Sequence, residues 1–253
     1  MLRSSLVIIA FAMLVGCVSV EEVGNHRIKQ VDPIEAADSR IALGINYMGQ
    51  GEMPRARDNF QQALALAPDY YRSLLSMAYY YQQVDDFNKA DNYYRQAMRK
   101  NPRNGDVLNN YGVFLCRQQR YNDAIALFER AVVLPDYPLV ASSYENAGLC
   151  AISQDDNESA LTYFVKALAH DPGRPLSILQ LASLQIAQSN FSRARANLMK
   201  FNKQYGYKPD SLWLLIQLEE KAGRPQEKVR YAKLLASQYP ESTQYQQYLA
   251  NDY

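Results

Sequence analysis

The sequence predicts an all-α protein: a right-handed superhelix, or α-solenoid, of about six helix-turn-helix units. Three observations carry that expectation. Small residues recur at Ala56, Ala90, Ala124, Ala160 and Ala194, at intervals of 34, 34, 36 and 34. Four residues after each stands a large side chain, in turn Phe60, Tyr94, Phe128, Phe164 and Leu198. Twelve residues before each leading alanine lies another small residue: Gly44, Ala78, Gly112, Gly148 and Ala182.

Each element of the unit has a physical reason. The two small positions let the first helix (A) and the second (B) cross closely, and the large residue fills the space beside the crossing. Pro68, Pro102 and Pro172 close three of the units, since proline lacks the N–H that helix B would need to continue. In the third unit Pro135 arrives one residue early, and two extra residues are placed in the "LPDYPL" turn around Pro135 and Pro138. One hairpin alone leaves its apolar stripe uncovered, so neighbours must stack. This pattern resembles the tetratricopeptide repeat. Units are expected at 37–70, 71–104, 105–140, 141–174 and 175–208, followed by a degenerate sixth at 209–240 and a C-terminal tail. The tyrosines, twenty in all and concentrated in stretches such as "AYYYQQ" and "DNYYRQA", read as packing residues.

Ahead of the repeats, "MLRSSLVIIAFAMLVGC" sets Arg3 before an apolar run from Leu6 to Val15, too short to span a bilayer. The run ends in Leu14-Val15-Gly16-Cys17, which resembles a bacterial lipobox. Residues 1–16 are therefore expected to be a lipoprotein signal peptide, with Cys17 the acylated first residue of the mature chain, a palmitate-type anchor. The resemblance extends to sorting: Val18 rather than Asp after the cysteine implies outer-membrane placement, facing the periplasm of a Gram-negative cell. Residues 17–36 show no helical period and are interrupted by Gly24 and Pro33, so they read as a tether.

Composition narrows the chemistry. A formal charge of +1 gives no global attraction to nucleic acid or anionic lipid. Two histidines, His26 and His170, are far apart, which leaves a histidine metal site or a Ser-His-Asp arrangement without support. No glycine-rich phosphate loop is present. The expectation is a protein that binds another protein, with no catalytic residue, metal, cofactor or small-molecule substrate.

In repeats of this kind the A helices line a concave face. The matching places hold Ile41, Ile45 and Met48 in the first unit, and Arg72, Leu75, Ser76, Tyr79 and Gln82 in the second. The third offers Asp106, Asn109, Asn110 and Val113, and the fourth Ser142, Glu145, Asn146 and Leu149. The groove expected to bind a partner comprises Arg72, Leu75 and Tyr79, then Asn109, Asn110 and Val113, then Glu145, Asn146 and Leu149. Carboxamides suit the backbone of an extended peptide, and equally suit tying neighbouring helices together; both readings stand. Aliphatic, amide and acidic side chains replace the basic clamp of chaperone-binding relatives, which disfavours capture of a C-terminal carboxylate. Cys116 and Cys150, 34 residues apart on successive A helices, are expected to form a disulfide in an oxidising compartment. No histidine lies nearby in sequence to activate either thiol.

The lipobox, "VLNNYGVFLCRQQRYNDAIALFERAV", the turn "LPDYP", "ENAGLC" and the terminal "YPES" and "YQQY" together resemble the type IV pilus biogenesis lipoproteins of the PilF/PilW, or pilotin, family. That resemblance implies an adaptor whose partner is the pilus secretin, aiding its localisation, assembly or stability. A repeat lipoprotein scaffold of another envelope machine, serving β-barrel assembly or peptidoglycan synthesis, is the alternative.

Overall fold

The computed structural model describes residues 32–250. They form six antiparallel helix pairs and a short closing helix, with no strand among the described residues. In chain order the pairs are α1 (Pro33–Gly49) with α2 (Met53–Leu66), α3 (Tyr71–Gln83) with α4 (Phe87–Lys100), and α5 (Gly105–Arg117) with α6 (Tyr121–Val132). There follow α7 (Val140–Ser153) with α8 (Asn157–His170), α9 (Pro175–Ala187) with α10 (Phe191–Tyr205), and α11 (Pro209–Lys221) with α12 (Pro225–Gln238). The last element is α13 (Thr243–Leu249).

Two boundaries differ from the sequence reading. The tether was expected to run through Ala36, yet α1 begins at Pro33. A proline in the first turn of a helix gives up an N–H that has no intrahelical partner anyway, so Pro33 opens the helix rather than interrupting it. The expected C-terminal tail contains α13, which packs on α11 and α12 as the first helix of a further unit would. Tyr245 and Tyr248 in it pack against the last core cluster.

Local chemistry explains where the helices start. Asp86, Asn104, Asp156 and Ser242 accept hydrogen bonds from the backbone N–H three residues on, as N-caps do. Pro175, Pro209 and Pro225 stand at the first turns of α9, α11 and α12. Each A-to-B turn contains one residue in the left-handed region: Gly51, Asp85, Gln119, Asp155, Ser189 and Gly223. That conformation reverses the chain in a few residues, and glycine serves it only in the first and last pairs.

The core is a ribbon along the stack. One cluster of buried side chains runs from Ala78 to Leu184, another from Ala182 to Leu235, and a third joins the first hairpin to Met77 and Tyr80. Phe60, Phe128 and Phe164 are fully buried at the A–B crossings, each stabilising by roughly 1.5–3 kcal/mol through area removed from water. Hydrogen bonds between residues 32 to 34 apart also tie neighbouring helix pairs and their connections together. Tyr70 donates to Asp38, Tyr163 to Glu129 at 2.9 Å, Tyr205 to the Gly173 carbonyl and Tyr239 to the Tyr207 carbonyl at 2.7 Å. The connection from α6 to α7, residues 133–139, is longer than its counterparts at 67–70, 101–104 and 171–174.

Candidate partner-binding groove

Parallel A helices place the same helical face of each unit side by side, and α1, α3 and α5 thereby enclose an open cavity of about 370 Å³. Ile41 and Ile45 come from α1, Leu75 and Tyr79 from α3, and Leu139 from the long connection. Ile45 is 54% and Tyr79 44% exposed, so this face keeps large apolar side chains in water. Tyr71, Arg72, Asp106 and Asn110 supply its polar edge.

That polar edge is largely organised. The Arg72 guanidinium lies 3.0 Å from an Asp38 carboxylate oxygen, and Asp38 also accepts from the Tyr70 hydroxyl. Tyr71 donates to Asp106 Oδ2 at 3.2 Å. Burial, then the adjacent Asp106 charge, raises the Tyr71 hydroxyl above the ordinary tyrosine value, so it stays a donor at neutral pH. Asn110 Nδ2 donates back to the Asp106 carbonyl within its own helix and remains exposed.

The structure divides the expected groove residues into two sets. Arg72, Leu75, Tyr79 and Asn110 line the cavity. Asn109, Glu145 and Asn146 do not; they are ties between units. Asn109 Oδ1 accepts from Ser143 Oγ at 2.9 Å and from Asn146 Nδ2 at 3.0 Å, joining α5 to α7. Glu145 is only 8% exposed, and accepts from Arg174 at 2.6 Å and from the Ser177 hydroxyl at 2.6 Å and backbone N–H at 3.1 Å. Burial pushes its carboxyl up, but the bonds from Arg174 and Ser177 outweigh that and hold it below the ordinary value. A buried carboxylate needs such partners, and a repeat stack offers them from the next unit. Val113 and Leu149 are partly buried against the central core cluster instead of facing the cavity. Gln82, also at a groove-facing place in the repeat pattern, is buried and accepts from the Tyr94 hydroxyl at 3.1 Å.

Ile41, Ile45, Ser76 and Asp106, at groove-facing places of the repeat pattern, also line the cavity, whereas Phe60, Tyr71, Tyr94 and Leu139 line it from places the pattern did not mark as groove-facing. The signal for Leu139 was a bulky aliphatic residue closing an extended connection immediately before an A helix. Cys116 and Cys150 are joined by a disulfide with Cα atoms 5.8 Å apart, linking α5 to α7 beside the Asn109–Asn146 tie. Cys17, the signal peptide and most of the tether lie outside the described residues. Among the described residues no cluster of side chains could hold a metal ion, and no helix is long and apolar enough to cross a membrane.

Residues 105–173 match a tetratricopeptide repeat family model, and residues 74–135 match the model of YpiA-like C-terminal tetratricopeptide repeats. The chain is 30% identical over 250 residues to the type IV pilus assembly protein PilF of Pseudomonas aeruginosa (strain PAO1), a match covering 98% of each. A solved structure of Pseudomonas aeruginosa PilF superposes with a TM-score of 0.73 at 30% identity, covering 87% of this chain and 99% of that one. A crystal structure of PilW, described as a widely conserved type IV pilus biogenesis factor, gives a TM-score of 0.74 at 26% identity over 84% of this chain and 98% of its own. Identity sustained over nearly the whole of both chains, with a matching fold, shows that the chain belongs to the PilF family of type IV pilus assembly proteins.

Proposed function

We propose that this protein is a lipid-anchored, periplasm-facing adaptor of the outer membrane that promotes localisation, assembly or stability of the type IV pilus secretin. The observation that carries the reading is the uncovered apolar groove between α1, α3 and α5 in a chain of this family. Acylation of Cys17 anchors the protein, each buried methylene contributing about 0.8 kcal/mol. Tethering then raises the effective concentration of the solenoid near any partner at the same membrane. The groove holds a segment of the secretin and stabilises the correctly placed oligomer by mass action, with no covalent change in either protein.

The test uses two exposed groove positions whose substitution spares the core. Ile45→Glu with Tyr79→Glu is expected to abolish co-purification of secretin from membranes and to reduce heat-stable secretin rings and surface pili. Cys17→Ala is expected to release the protein from the membrane fraction with the same loss. Secretin rings and pili at wild-type levels in both variants would overturn the proposal.

A further inference from the structure

We propose that the long α6–α7 connection is a preformed lip that makes the groove selective for a segment carrying a large aliphatic side chain next to a lysine or arginine. The inference rests on the groove being the partner site. Its first support is that the connection is built to be rigid. Pro135 and Pro138 restrict the backbone, and the Tyr137 ring packs onto Gly105 so closely that a Cβ there would lie 2.2 Å from a ring carbon. The Tyr137 hydroxyl is 3.1 Å from Ser143 Oγ, which fixes the far side of the connection to α7.

The second support is what the lip presents. Leu139 immediately precedes α7, where a polar side chain ordinarily stabilises a helix start. The residues at the matching place before α3, α5, α9 and α13 are polar and engaged. Tyr70 donates to Asp38, Asn104 and Ser242 cap their helices, and Arg174 bonds Glu145. Leu139 makes no cap, is 46% exposed, and lines the cavity together with Ile45 and Leu75. An aliphatic residue in this place adds a wall to the groove and nothing to the helix.

Charge supplies the second half of the specificity. Arg72 is neutralised within the groove by Asp38 at 3.0 Å. Asp106, on the same cavity, accepts from Tyr71 and forms no ion pair among the described residues. The groove therefore offers one uncompensated carboxylate beside an apolar floor, and a cation on the partner complements it.

Short overlapping peptides covering the cognate secretin, probed with the full chain, test this directly. The retained peptides are expected to share an aliphatic residue near Lys or Arg. Leu139→Asn is expected to weaken the strongest peptide about tenfold while Tm stays within about 2 °C, because a capping residue replaces an exposed apolar one. Asp106→Asn is expected to weaken it roughly threefold to fivefold and to flatten its salt dependence. If Ile45→Glu abolishes peptide binding while Leu139→Asn and Asp106→Asn bind as wild type, the lip inference falls and the groove stands. If Ile45→Glu binds as wild type too, the groove reading falls with it. Retained peptides carrying Asp or Glu beside the aliphatic residue, or none retained while intact secretin co-purifies, would equally overturn the inference.

Discussion

Where the two helices of a hairpin cross, a single carbon atom decides the fit. A Cβ added at Gly112 would lie 2.7 Å from the Phe128 ring, and one at Gly148 2.8 Å from the Phe164 ring. Real Cβ atoms do not approach so closely, so the ring would have to move within a packed core. In the second and fifth units the small partner is Ala78 or Ala182, opposite Tyr94 or Leu198. Gly112→Ala is therefore expected to destabilise by about 1–3 kcal/mol in denaturant unfolding. Adding Phe128→Leu should recover part of that loss, because it recreates the alanine–leucine pair already used at Ala182 and Leu198; additive losses in the double variant would refute the steric account.

At the level of helices, stability comes from contacts that one unit makes with the next. Glu145 on α7 illustrates this, held by Arg174 at the start of α9 and by Ser177 within it. Its carboxyl titrates below the ordinary value of 4.5 when folded. A depressed folded value means that the contribution is fully present above the unfolded value and is lost as pH falls through the folded one. Wild type should accordingly lose stability below about pH 4.5 more steeply than Glu145→Gln, whose acid limb should be flatter; parallel limbs would exclude the linkage. The same residue shows where sequence reading stops. Periodicity located each helix pair because small and large residues recur at fixed spacing, and it identified the A-helix face. It did not tell a groove carboxylate from an inter-unit tie, because that depends on Arg174 and on Ser177 of the following unit converging on Glu145. Leu75 and Tyr79 were legible as groove residues because the repeat pattern puts their places on the A-helix face, and both line the cavity. Leu139 was missed because its place comes from an irregular connection to which the repeat pattern does not extend.

Over the whole molecule, stacking carries the fold past a region where the repeat is stretched. The connection 133–139 separates the third and fourth pairs, and the Cys116–Cys150 disulfide spans that junction from the A-helix side. Closing a loop of this size is expected to contribute about 3–4 kcal/mol by restricting the unfolded chain. Cys116→Ala with Cys150→Ala should lower Tm by roughly 10 °C in a calorimetric scan. Reductant should lower wild-type Tm by a similar amount and leave the double variant unchanged; a reductant effect on the variant would show another cause.

The bonds from Tyr70 to Asp38, Tyr163 to Glu129, Tyr205 to Gly173 and Tyr239 to Tyr207 each connect a residue to one about a single unit earlier. Each such rung spans about one unit, so inserting one amino acid inside a helix would displace the rung that straddles it and leave rungs lying wholly before or after it in phase. The spiral therefore confines an irregularity to the steps beside it, like a staircase that continues past one tread cut long.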